Sequence, residues 1–359
     1  MARLKKPHPR RAATLADVGR EAGVSTMAAS AVINGGQTSS RIAEPTRRRI
    51  IAAAERLGYR RNAAAHALAN RRMNTIGVVS IFSGGGFNHY FLEIFNGILV
   101  GAAQHEQNTT VFSLNDWNEV QSRLTQFCDG RIDGMILIGT PFRPSDVALP
   151  GHTPFVSIHA NHPLPGVRNI ESDEERGAYE LIKHSLNLGH RRIMHVTGPH
   201  SDVGVRRRIR GYKRALADAG VAFDPALVLP GQYNAESGRE VLRAWFATRK
   251  KHALPHLIFC GSDAIALGCM EVLTERGLRV PEDVSVAGFD DTLAARMTVP
   301  PLTTVRQPLR EMGRMAVEEL LARIENWETK PAAKPVIFPT QVVLRSSLAT
   351  VPAPTKQTP

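Results

Sequence analysis

Three groups of residues have types and spacing that could do chemistry. Asp290-Asp291 could act as an acid and base pair, His159-x-x-His162 could ligate a metal, and Ser83-Gly84-Gly85-Gly86 could cradle a phosphate. None of the three completes a reaction centre. Adjacent aspartates on one chain usually point apart. The histidine pair lacks a third ligand at metal spacing, and a lone glycine run is not the G-x-x-x-x-G-K-[ST] loop that holds nucleotide phosphates. A G-x-G-x-x-G fingerprint and a G-x-S-x-G elbow are both missing. The expectation is a binder: no catalytic residues, no cofactor, no metal.

Charge points to one class of partner. Residues 1–75 hold 15 Lys+Arg against 4 Asp+Glu, and the remainder holds 30 against 29, so nearly all of the net charge of +12 sits in the first fifth of the chain. A small basic segment joined to a neutral remainder suits a nucleic-acid reader attached to a domain with another job. Before Tyr59 that segment has no Phe, Trp or Tyr. Single strands are held by stacking aromatics, so duplex DNA is the expected partner.

The elements that must position these charges are legible in residues 14–60. Leu15, Val18 and Ala22 share one helical face, Thr14 can cap its start, and Gly23 can end it. Ser25 can cap a second helix whose buried face is Ala28, Ala29, Val32 and Ile33, with Asn34-Gly35 as its stop. Two helices joined this way form a helix-turn-helix, which can set its second helix in the major groove. A third helix is expected from Glu44 to Leu57, striped by Ile50, Ala53, Ala54 and Leu57. Residues 1–13 form a basic arm expected to be disordered. Asn62 to Asn70 is an alanine-rich stretch too short to be a stable helix alone. It would fold only when docked, with Leu68 as core residue or as a wedge between base steps.

From Thr75 onward, apolar strand runs (IGVVSIF, TTVFSL, GMILIG, PFVSIH, RRIMHVTG, HLIFCG, VSVAGFD) alternate with helical segments, among them Tyr90 to His105, Gly177 to Leu188, Arg208 to Ala219 and Ala264 to Arg276. That alternation indicates doubly wound parallel sheets, and the length fits two lobes. Ligands of such sheets bind beyond the carboxyl ends of the strands. Those ends carry Phe87 to Phe91, His159, Gly198 to Arg208, Ser262-Asp263 and Asp290-Asp291. Cys128, Cys260 and Cys269 are scattered, which suits a reducing cytosol, and no apolar run could be a signal peptide or span a bilayer.

Taken in order, TLADVGREAGVS, IIAAAERLGY, NAAAHALA, LGHRRIMHVTGP, RIRGYKRAL, SDAIALG, GLRVPEDVSVAGFDD, PLTTVRQP and VVLRSS resemble the lactose repressor (LacI) family of bacterial transcription regulators up to about Ser347. The resemblance implies an α/β chain: an all-α helix-turn-helix domain (14–60), a hinge helix and linker (61–74), and a two-lobed periplasmic-binding-protein-like core (75–347). Lobe 1 would span about 75–170 and 306–338, lobe 2 about 171–305 and 339–347, followed by a disordered tail (348–359). It implies a cytoplasmic homodimer, with paired recognition helices on double-stranded operator DNA and a small-molecule effector, a sugar or sugar acid, between the lobes. Thr26 and Met27 match base-reading positions, and Thr14, Ser25, Ser30 and Asn34 match contacts at the same site. Leu68 matches the wedge. Arg208 matches the arginine that holds effector, Tyr233 an aromatic that stacks on it, Asp290 a cleft carboxylate, and Tyr90 and Phe91 the pocket wall.

Several positions depart from the family pattern. Ala28-Ala29-Ser30-Ala31 stands where Thr-Val-Ser-Arg is common, Ala43 replaces a serine cap, and Arg61 replaces a proline. His159 stands where an acidic residue is frequent. With Arg206, Arg207 and Arg208 nearby it suggests a basic pocket, hence an acidic sugar derivative beside the default of a plain sugar. Two alternatives remain at this point: a periplasmic-type solute-binding protein, or a sugar-processing enzyme on the same core.

Overall fold

The computed structural model describes residues 12–34, 41–60, 72–81, 88–114, 116–143, 145–248, 254–327 and 334–351. The chain forms two compact units, 1–73 and 74–359.

The first unit contains α1 (Leu15–Ala22), α2 (Thr26–Asn34) and α3 (Glu44–Arg56). Thr14 and Asp17 form a reciprocal capping box: the Thr14 hydroxyl accepts from Asp17 N, and Asp17 Oδ2 accepts from Thr14 N at 3.0 Å. Gly23 ends α1 in the left-handed region, and Ser25 Oγ accepts from Ala28 N at 3.1 Å to start α2. Gly19 makes the tight turn possible, because a Cβ there would lie 3.0 Å from the Val24 carbonyl oxygen. Val18, Ala22, Ala29, Val32, Ile50 and Ala53 form the core. Leu57 departs from expectation: α3 stops at Arg56 and the Leu57 side chain is exposed, because the buried stripe ends at Ala54 and Tyr59 packs there instead. Ala43 starts α3 without a side-chain cap, as its missing hydroxyl requires. The Asn62–Asn70 stretch, with Leu68, lies outside the described residues.

The second unit is built on two parallel sheets. The first contains β1 (Thr75–Ile81), β2 (Asn108–Leu114), β3 (Gly134–Ile138), β4 (Phe155–Ile158), β5 (Arg168–Ser172) and β11 (Val336–Phe338), in the order β11-β5-β4-β3-β1-β2. The helices α4 (His89–Gln104) and α11 (Leu309–Glu325) pack against each other and onto one face, and α5 (Val120–Phe127) lies on the other. The second sheet contains β6 (Ile193–Val196), β7 (Val228–Leu229), β8 (Leu257–Cys260) and β9 (Ser285–Ala287), in the order β7-β6-β8-β9. Paired α6 (Glu174–Asn187) and α7 (Val203–Asp218) cover one face, and α8 (Ala235–Thr248) with α9 (Asp263–Glu275) covers the other. The short helix α10 (Leu293–Met297) follows β9. Both sheets are wound on two sides, so inner strands such as β1, β3, β4 and β8 are buried along nearly their whole length, whereas the edge strand β2 alternates. A third, antiparallel pair, β10 (Thr304–Arg306) with β12 (Gln341–Val343), lies where the chain passes between the lobes.

Several boundaries differ from expectation. Strand β5 pairs in the first sheet through Ser172, so 171–172 belong to lobe 1. Helices α6 and α7 start three and five residues earlier than expected: Asp173 caps α6 at Arg176 N (3.1 Å), and Val203, Gly204 and the buried Val205 open α7 ahead of its arginine run. The tail is not loose at 348: Ala349 N donates to Ser285 Oγ (3.2 Å), His190 Nε2 pairs with the Ala349 carbonyl (2.8 Å), and Val351 N donates to the Leu188 carbonyl (2.9 Å).

Candidate functional site

In the first unit, α2 carries the residues expected at DNA. Met27 is 81% exposed and Thr26 is exposed beside it at the first turn. Both side chains are therefore open to an outside partner, at the end of a helix whose free amides favour anions. Ser25 and Thr14 already serve as caps, and Ser30 Oγ accepts from Asn34 Nδ2 at 3.0 Å along the half-buried side of α2. Thr14, Ser25, Ser30 and Asn34 thus shape the unit whether or not they touch a partner.

In the second unit, the carboxyl ends of both sheets face a cavity of about 390 Å³. It is lined from lobe 1 by Tyr90, Phe91, His159 and Glu171, and from lobe 2 by Glu174, Arg207, Arg208, Tyr233 and Asp290, among others. All six residues expected at an effector, from Tyr90 to Asp290, reach it. Asn88 caps α4 by accepting from Phe91 N (2.8 Å), which seats Tyr90 and Phe91 in the first turn at the cavity wall.

Arg208 is the cation at its base. Its Nη2 donates to Glu174 Oε1 at 2.5 Å, its Nη1 donates to the Gly261 carbonyl, and its guanidinium lies 4.3 Å from the Phe289 ring and 5.6 Å from the Tyr233 ring. Its buried Nε has no hydrogen-bond partner among the described residues. Burial opposes its charge, but Tyr233, Glu174 and Asp290 outweigh burial and raise its pKa. Burial would likewise raise Glu174, yet Arg208 and its neighbours pull the carboxyl below its ordinary value. Burial, reinforced by Asp263, lifts Asp290 well above the usual carboxylate range.

The pocket is not basic. Arg207 donates to Glu171 Oε1 at 2.9 Å, so each guanidinium meets a carboxylate, and Asp202 and Asp290 add two more acids to the lining. Arg206 turns away from the cavity and donates to the His200 and Ser201 carbonyls. Consecutive helical residues point about 100° apart, so not all three can face the cavity: Arg207 and Arg208 do, and Arg206 does not. Burial draws the His159 pKa down to about 4, leaving the ring neutral at physiological pH.

The pair Asp290-Asp291 splits as two adjacent side chains must. Asp290 faces the cavity and accepts from Gln307 Nε2 (2.7 Å), whereas Asp291 is held by Arg306 (2.7 Å) and Arg345 (2.5 Å). Both have positive φ, 116° and 57°, and His159 has 50°. Strained backbone of this kind gathers where a site must be held in shape. His162 is absent from the lining, and among the described residues no group of three or more His, Cys, Asp or Glu could hold a metal. The Ser83–Gly86 run lies outside the described residues.

Sequence reading missed the residues that connect the walls. Asn161 accepts from Val203 N (2.9 Å) and donates to Asp202 Oδ1 (3.1 Å), fastening the lobes beside the cavity. Ser172 and Gln307 bridge His159 to Asp290. The one available signal was position: each sits at a strand's carboxyl end or on the crossover.

Comparison with known proteins agrees with this architecture. Residues 14–62 match the family described as "Bacterial regulatory proteins, lacI family", and residues 182–348 match the "Periplasmic binding protein-like domain". The chain is 32% identical over 320 residues to the HTH-type transcriptional repressor PurR of Aliivibrio fischeri, covering 88% of this chain and 92% of that one. Its fold is similar to the Lac repressor dimer bound to operator and an anti-inducer (TM-score 0.79, 26% identity, 94% of this chain and 100% of that one). It is also similar to the complex of the transcriptional regulator CelR with cellobiose (TM-score 0.68, 28% identity, 93% and 99%).

Proposed function

The chain belongs to the LacI family of bacterial regulatory proteins, and on that premise we propose that it is a repressor whose hold on operator DNA is set by a neutral, polyhydroxylated effector, most simply a sugar. The observation that carries this is the cavity. Side chains from 200 positions of sequence converge on a space at the lower end of the 300–1,000 Å³ range of small-molecule sites. Its two guanidiniums are matched by carboxylates, which leaves many hydrogen-bonding groups and no uncompensated cation for an acid. Tyr233 offers a stacking face and Asp290 an oxygen, and Arg208, held by Glu174, lines the same space. Cellobiose in the similar CelR complex supports the same class.

Thr26 and Met27 read base edges, with Thr14, Ser25, Ser30 and Asn34 fixing the helix against the backbone. Two copies pair, as in the Lac repressor dimer, and the exposed Leu92, Leu99, Leu293, Met297 and Val299 suit burial against a second copy. We keep the domain division read from sequence, with lobe 1 taken through Ser172. The setting is the cytoplasm, and the effector leaves chemically unchanged.

The test is a thermal-shift panel of neutral sugars and sugar acids. A neutral sugar at a hundredfold excess over its Kd should add about 2.7 kcal/mol of stability. Arg208→Ala should remove that shift and the effector's influence on operator binding while leaving effector-free DNA affinity within about twofold. A response confined to sugar acids would overturn the neutral-pocket reading, and an unaltered response in Arg208→Ala would remove that residue from the site.

A further inference from the structure

A run of hydrogen bonds crosses from one cavity wall to the other. The Tyr90 hydroxyl meets His159 Nδ1. His159 Nε2 lies 3.2 Å from both Ser172 N and Ser172 Oγ. The Ser172 hydroxyl donates to Gln307 Oε1, and Gln307 Nε2 donates to Asp290 Oδ1 at 2.7 Å. Tyr90 and Asp290 line the cavity; Ser172 and Gln307 are buried and do not.

One fixed donor sets the proton positions at the Tyr90 end. A backbone amide can only donate, so the Ser172 N–H directed at Nε2 requires that nitrogen to accept. A neutral imidazole holds one proton, which must then sit on Nδ1. The backbone explains the arrangement. Ile158–Ile170 is the last β4–β5 pair, and His159 turns into the left-handed region immediately after it. Its ring then supplies the acceptor that Ser172 N–H would otherwise seek in the ladder. With Nδ1–H donating to it, the Tyr90 oxygen is an acceptor within the protein, and its own proton is left for whatever occupies the cavity.

We propose that Ser172 and His159 are positioning residues that make Tyr90 a hydrogen-bond donor to the effector, so the site selects ligands that present an oxygen lone pair there and disfavours those that present an ammonium or amide N–H. This deepens the sugar-site reading and rests on it, because sugar ring, ether and hydroxyl oxygens all accept.

The first experiment uses the full chain without ligand. Two-bond ¹H–¹⁵N spectra of histidine-labelled protein near pH 7 report the tautomer, with His159 assigned by its loss in His159→Gln or, if that variant misfolds, by its shift in Tyr90→Phe. The expected result is the Nδ1–H form, in the wild type and in Gln307→Ala alike, because the amide and not the crossover fixes it. An Nε2–H form, or averaging between the two, overturns the proposal. The second experiment titrates D-ribose, D-glucose and cellobiose. For a sugar that binds, Tyr90→Phe and His159→Asp each lower affinity about tenfold. The aspartate side chain would accept the Tyr90 proton and withdraw it from the cavity, so the double variant is no weaker than either single one; additive losses overturn the proposal. If none of the three sugars binds, the sugar reading loses its support while the spectra still decide the tautomer.

Discussion

His195 shows how one buried titratable side chain ties stability to pH. It is fully buried, donates Nδ1–H to the Phe259 carbonyl (3.0 Å), stacks on the Phe259 ring at 4.3 Å, and leaves Nε2 without a partner among the described residues. Burial draws its pKa down to about 3, against 6.5 for an exposed histidine. The folded protein therefore refuses a proton that the unfolded chain accepts, and stability falls as pH drops below 6.5. Between pH 7 and pH 5 this single group costs about 2 kcal/mol. Asp263 works in the opposite direction. Burial raises it to about 7 despite bonds from Thr292 and Thr304, so its contribution falls as pH rises from about 4 to 7. Because the two oppose, the difference between variants is the useful measurement. His195→Phe should be less stable than wild type at pH 7, and that deficit should shrink by about 2 kcal/mol at pH 5 in urea unfolding. A deficit independent of pH would mean that His195 is charged in the folded state.

At the scale of elements, lobe 1 depends on how closely α4 and α11 approach. A Cβ on Gly97 would sit 2.0 Å from the Arg310 carbonyl oxygen, and one on Gly313 would sit 2.2 Å from the Ile94 carbonyl oxygen. Each helix thus rests backbone to backbone on a glycine of the other, and the pair then covers the first sheet with Ile94, Ile98, Met312, Ala316 and Leu320. Gly97→Ala should force the helices apart and cost about 1–3 kcal/mol. Gly151→Ala, with nothing within 4 Å of the new methyl, should change the unfolding midpoint little. Equal effects would show that α4 and α11 can separate without loss. The alternation of strands with helical stripes was enough to place these elements in sequence. Which helix packs on which, and through what residue, depends on contacts more than 200 positions apart.

At the scale of the molecule, the two units differ in how they should answer to salt. Residues 1–75 carry 15 basic against 4 acidic residues, and affinity for duplex DNA should fall steeply as counterions compete, with a log–log slope of about −0.9 per phosphate neutralised. The cavity's guanidiniums are already matched by Glu171 and Glu174, so sugar affinity should change less than about twofold between 50 and 200 mM salt. DNA titrations and calorimetry over the same salt series check both. A salt-independent DNA affinity would move recognition away from the basic segment.

The division between what was readable in advance and what was not follows the reach of the forces involved. Capping at Thr14, the stop at Gly23 and the parallel-sheet alternation are set by neighbours within a few residues, so the sequence by itself determined the helix-turn-helix and the doubly wound class. The motif residues Tyr90, Phe91, His159, Arg208, Tyr233 and Asp290 were named from their strand-end positions and their resemblance to a family, and they meet in one cavity. The pocket's polarity was misjudged because three arginines in a row look like one patch in sequence. Only the helix decides that Arg206 faces solvent while Arg207 and Arg208 find Glu171 and Glu174. The Ser172–Gln307 link joins residues 135 positions apart through a strand end and a crossover. Neither residue carries a local pattern that marks it, and folding alone brings a hydroxyl and an amide together where water cannot compete.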